Sequence, residues 1–131
     1  MYSFVLCELK DGILIPLHSV IDRIPCHNVT HWRFRDIQVS NGNPFGMPLT
    51  EFEEKSRSIP DGLTVTNQEF TDFFNSDIQV IDGLIYGLVG IDAKAPLFCL
   101  DCFDTSQWEI ITEDKKVSSE LLRHGWSPQG I

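Results

Sequence analysis

Apolar positions alternate with polar ones over several short stretches of this chain, which is the period of a strand with one buried face. The opening YSFVLCELKDGILIPL carries two apolar runs separated by Asp11-Gly12. That pair tolerates the positive φ of a tight turn, so a β-hairpin is predicted, with Pro16 ending its second strand or placing it at an edge. His31 to Ser40 is also extended, but Trp32 and Phe34 are even-numbered whereas Ile37 and Val39 are odd. The change of phase predicts a bulge near Arg35-Asp36. NGNPFGMP, residues 41 to 48, predicts a loop.

Helical spacing follows in two places. Thr50 to Glu53 and Thr66 to Glu69 both fit a capping box, in which the Thr oxygen and the Glu carboxylate each satisfy an orphan backbone donor. The first helix ends before Pro60-Asp61-Gly62; the second runs to about Asn75 and buries Phe70, Phe73 and Phe74. DIQVI, LIYGLVGI, LFCLDCF and WEII then read as four strands of an antiparallel meander, with turns at Asp82-Gly83, DAKAP and DTSQ. A last helix is predicted over Glu113 to His124, its buried face made by Val117, Leu121 and Leu122, with Gly125 as the residue after the cap. The expected architecture is a single α+β domain over residues 1–131: a twisted, largely antiparallel sheet of about six or seven strands with two or three helices on one face.

Cysteine placement decides whether a metal centre belongs in this picture. Cys99 and Cys102 form a C-x-x-C pair, and Cys26, His27 and His31 lie close together upstream. A chelating or redox pair needs both sulfurs on one side of the chain, whereas alternation along FCLDC sends them to opposite faces. Two small apolar thiols on a mostly buried strand are therefore expected, no cofactor is assigned, and a four-ligand zinc site from Cys26, His31, Cys99 and Cys102 is the alternative. His18 is expected at a strand end or in a loop, and His124 at a helix C-terminus. Trp32 and Trp108 are expected in the core, and Trp126 either docks on the domain or serves as a partner anchor.

Charge adds a second kind of information. The chain has 19 acidic and 10 basic residues, a formal net charge of −9. From Asp61 to Asp114 eleven acids are opposed by Lys94 alone, so this section holds practically the whole excess. Such a field repels phosphates and attracts cationic surfaces, which disfavours nucleic acid as a ligand and favours a basic protein partner. Familiar nucleophile, Walker, dinucleotide and calcium-loop patterns are missing from the sequence, and Glu113-Asp114-Lys115 opens a predicted helix rather than lying on a nuclease strand. A non-catalytic role is expected. No apolar run approaches the ~20 residues that span a bilayer, and MYSFVLCELKDG has no basic leader region, so a cytoplasmic protein without membrane contact is expected.

In size, acidic balance and lack of a catalytic constellation, the chain resembles the small acidic immunity proteins with which bacteria neutralise basic nuclease toxins, including those of contact-dependent inhibition. The resemblance implies steric and electrostatic occlusion of a toxin domain. The candidate partner-binding residues are Asp72, Asp77, Asp82, Asp92, Asp101, Asp104 and Glu109, with Trp126 as an aromatic anchor. A small metal-dependent hydrolase, and an adaptor or phage accessory protein, are the competing expectations.

Overall fold

The computed structural model describes residues 1–10, 12–25, 28–40, 42–73, 79–103 and 107–129. Among these described residues nine strands and four α-helices follow one another: β1 Tyr2–Leu6, β2 Leu9–Lys10, β3 Ile13–Leu14, α1 Leu17–Ile21, β4 His31–Ser40, α2 Leu49–Ser58, β5 Leu63–Thr66, α3 Asn67–Phe73, β6 Gln79–Leu88, β7 Phe98–Phe103, β8 Gln107–Thr112, α4 Lys115–Arg123 and β9 Ser127–Pro128. A short 3-10 turn, Pro44–Gly46, lies in the segment read as a loop. Seven strands make one antiparallel sheet in the order β5-β4-β6-β7-β8-β1-β9. The architecture is α+β, as expected from the alternation.

The first hairpin is smaller than expected. Leu9 pairs with Leu14 and Lys10 with Ile13 in a separate two-stranded ribbon, while β1 joins the main sheet against β8. Pro16 stands at the N-cap of α1, a five-residue helix that the sequence reading missed and that carries His18. Too short for a periodic signal, it owes its place to Leu17 and Val20, both fully buried.

A pair of compensating bulges shapes the centre of the sheet. Arg35 pairs with Leu84 and Gln38 with Asp82, so β4 advances three residues where β6 advances two; from Gln38 to Val39 the extra residue lies in β6. Asp36 adopts φ 50° and Gly83 φ 135°. The bulge foreseen near Arg35-Asp36 is present. Asp82-Gly83, however, is not a turn: it lies inside the ten-residue β6, and glycine is required because a Cβ at Gly83 would stand 2.6 Å from the Ile37 Cα.

Local capping explains where the helices begin. The box at Thr66 is formed, with Glu69 N–H donating to Thr66 Oγ1 at 3.0 Å and Thr66 N–H to Glu69 Oε1 at 2.9 Å. The box expected at Thr50 is not: α2 opens at Leu49 after Pro48, without a side-chain cap. Its Glu53 instead accepts from Val39 N–H, and Ser56 Oγ accepts from Ile37 N–H at 3.1 Å. These residues follow the part of β4 that pairs with β5, which ends at Phe34. Helix α2 thus satisfies edge donors that β5 does not reach. Asp114 caps α4 by accepting from Lys116 and Val117 N–H, and Gly125 at φ 91° closes it. Leu122 is 55% exposed, so Val117 and Leu121 alone make its buried face. Phe70 is buried as expected; the Phe73 side chain and Phe74 lie outside the described part.

One face of the sheet carries the core. Trp32 and Phe34 stack on Phe70 of α3, and Phe34 meets Phe52 of α2 edge-on. The tryptophans also bind distant segments through their indole N–H groups: Trp32 to Asn67 Oδ1, Trp108 to the Ile15 carbonyl and Trp126 to the Arg23 carbonyl, at 2.8 to 3.0 Å. Each joins a residue of the sheet or the C-terminal tail to a segment far away in sequence.

Two stability measurements test this arrangement. Trp108→Ala removes a fully buried side chain and one of these ties, and should destabilise the protein by about 3–5 kcal/mol in urea unfolding; a loss below ~1 kcal/mol is incompatible with its place in the core. Gly83→Ala should destabilise by at least ~1 kcal/mol, from the left-handed φ and the Ile37 clash together. An unchanged midpoint would show that the double bulge is not a constraint.

Candidate functional site

Residues that alternate with the core positions form the outer face of the sheet. Among the described residues no helix packs on this face, since the buried apolar side chains of α1, α2 and α4 all join the core cluster and α3 packs there through Phe70. Cross-strand register orders it in rows. Thr64, Arg33, Tyr86, Cys99, Ile111 and Ser3 follow one another across six strands, and Arg35, Leu84, Asp101, Glu109 and Val5 make the adjacent row. Asp82 follows Leu84 on the same side of β6 and opposes Gln38. The middle is half-buried and largely apolar: Leu84, Tyr86, Cys99 and Ile111.

Three of the candidate acids meet here. Asp101 and Glu109 are direct cross-strand partners, and Asp82 is close enough for its charge to act on Asp101. None of the three has an ion-pair partner among the described residues. Glu109 receives a long contact from Ser3 Oγ at 3.5 Å. Burial, then the negative charges of Glu109 and Asp82, raise the Asp101 pKa above 3.8. Like charges directly opposite in a sheet destabilise it, so this stripe opposes folding at neutral pH.

The remaining candidates do not join it. Asp72 is exposed on α3, on the helical side of the sheet, and accepts from Gln68 Nε2. Asp92 is exposed in the loop between β6 and β7. Asp77 and Asp104 lie outside the described residues. Trp126 is a correction to the anchor reading, since it is only 3% exposed and its indole is bonded to Arg23. Asp82 also lies within a strand rather than at a turn, and Asp101 lies within the strand expected for it.

The zinc alternative meets a geometric obstacle. Cys102 is buried on the core face, its thiol against the Val80 carbonyl at 3.4 Å, whereas Cys99 lies on the outer face beside Tyr86. Strand alternation separates the two sulfurs, so they cannot ligate one ion together; Cys26 lies outside the described part. No group of three potential ligands is assembled among the described residues. Cys99 is equally unsuited to nucleophilic work. Burial first, then the nearby Asp101, push its thiol up to about 11, with Tyr86 hydrogen bonding pulling the other way.

Sequence reasoning missed the cationic part of this face. Arg33 and Arg35 alternate with Trp32 and Phe34 in HWRFR, so their shared side was legible once the strand was assigned. Comparison with family models, with curated proteins and with solved structures returned no match. Among the described residues no helix is long and apolar enough to cross a membrane.

The stripe predicts a pH signature. With its folded-state pKa raised, protonated Asp101 favours the folded state; this contribution is fully present below its ordinary 3.8 and is lost as pH rises through the folded-state value. Asp101→Asn should therefore raise the thermal midpoint at pH 7, with the gain shrinking towards zero on acidification below that value. A lower midpoint at pH 7 would mean that the carboxylate is held by an attractive partner.

Proposed function

We propose that the protein is a non-catalytic binding protein of the immunity kind, which occupies a basic, nuclease-type toxin domain in the cytoplasm through the outer face of its sheet. The observation that carries this reading is the direct opposition of Asp101 and Glu109, with Asp82 nearby, on a face that no described helix covers. In the isolated chain the arrangement is a liability. A cationic surface laid across it converts that repulsion into attraction, and the half-buried Leu84, Tyr86 and Ile111 supply the apolar centre from which water is expelled. The net charge of −9 adds long-range steering of such a partner.

The test measures association with purified basic nuclease-type toxin domains. Asp82→Asn, Asp101→Asn and Glu109→Gln combined should slow association by about tenfold or more at low salt, and the salt dependence should flatten with it. The control is Glu51→Gln with Glu54→Gln, whose charges are already offset by Lys55 and Arg57. Glu53 is excluded from the control because it accepts from Val39 N–H. Equal association by the two variants, or a wild-type rate indifferent to salt, would remove the electrostatic reading.

A further inference from the structure

The outer face has a second, oppositely charged region. Arg33 and Arg35 leave the same side of β4 two residues apart, a separation of about 7 Å along a strand. Tyr86 is the direct cross-strand partner of Arg33 and feels the charge of Arg35. The loop after β6 brings Lys94, the one base of the acidic section, to these arginines. With Asp61 and Pro96 they line a pocket of about 180 Å³. Three cations thus converge around one carboxylate in a chain whose net charge is −9.

Their existing bonds orient them without neutralising them. Arg33 Nε donates to Thr64 Oγ1 at 3.0 Å, a neutral acceptor. Arg35 Nε approaches Asp36 Oδ2 only to 3.8 Å, with both side chains more than half exposed, so this pair supplies little compensation. Lys94 has no ion-pair partner among the described residues. Guanidinium groups present paired donors that match oxyanions, and the Lys94 ammonium adds further donors at the same notch, with Tyr86 bonded to Arg35 and Cys99 behind them. The single Asp61 carboxylate lining the pocket leaves an excess of positive charge there, which an added anion would offset.

We propose that this pocket is an oxyanion-binding site, taking a phosphate or a carboxylate group between Arg33, Arg35, Lys94 and Tyr86. The site is independent of the acidic stripe and stands whether or not the stripe binds a toxin. It also limits the argument from net charge: the field repels phosphates at a distance, while the pocket attracts an anion that reaches it.

The experiment is a heteronuclear NMR titration of the whole chain at pH 7, with inorganic phosphate in one arm and acetate in the other. Sodium chloride holds the ionic strength constant. Saturable shifts of the Arg33, Arg35, Tyr86 and Lys94 amides are expected in at least one arm, and the tighter arm identifies the ligand class. Lys94→Gln, in an exposed loop, and Arg35→Gln should each weaken binding by about tenfold, the loss of one charge-assisted contact. Asp61→Asn should tighten it. Absence of saturable shifts in both arms, or binding unchanged in the folded Lys94→Gln and Arg35→Gln proteins, overturns the proposal.

Discussion

The double irregularity between β4 and β6 governs which side chains face the core and which face out. A regular ladder through these strands would put Trp32 and Phe34 on one face and Ile37 and Val39 on the other, exposing one pair. The extra residue in β4 and its counterpart in β6 shift the phase of both strands, so all four side chains are buried. Asp36 and Gly83 take the positive φ values that this requires. Because the core takes every apolar residue of β4, the polar remainder, Arg33 and Arg35 included, is left to the outer face.

Helices and tail complete the covered side by satisfying particular groups. Ser56 and Glu53 accept the β4 N–H groups beyond the reach of β5, which closes part of an edge that could otherwise pair with another chain. The three indoles each find an acceptor across a large sequence separation, with Trp108 and Trp126 bonding to the segments on either side of α1. Even a five-residue helix is therefore fixed, with no strong propensity of its own.

With the helices and the main apolar cluster committed to one face, the opposite face carries charge around its apolar middle in a pattern that folding does not favour. Asp101 and Glu109 repel each other across β7 and β8, while Arg33, Arg35 and Lys94 gather at the β4 side. Neither arrangement contributes to packing. Unfavourable charge contacts on this half-buried, accessible surface cost stability, and the proposed binding would offset that cost. The two regions would orient a ligand or partner along the row direction of the sheet, because each end selects the opposite sign.

Alternation and capping chemistry alone determined the α+β class, the meander of β6 to β8, the bulge in β4, the box at Thr66, the Gly125 stop and the opposite facing of Cys99 and Cys102. These depend on residues adjacent in sequence, where the period of two or 3.6 acts directly. Tertiary contacts decided what local rules misread. Asp82-Gly83 has the composition of a turn, but the close approach of Ile37 makes it the mid-strand partner of a bulge; Thr50 has the composition of a cap, but Glu53 is drawn away to an unpaired strand edge. The acidic section was visible as a run of charge, yet only strand register could bring Asp82, Asp101 and Glu109 together, leave Asp72 on the far side and place Lys94 beside two arginines some sixty residues earlier. Proximity in a sheet is set by which strands pair, and that pairing is a property of the whole core.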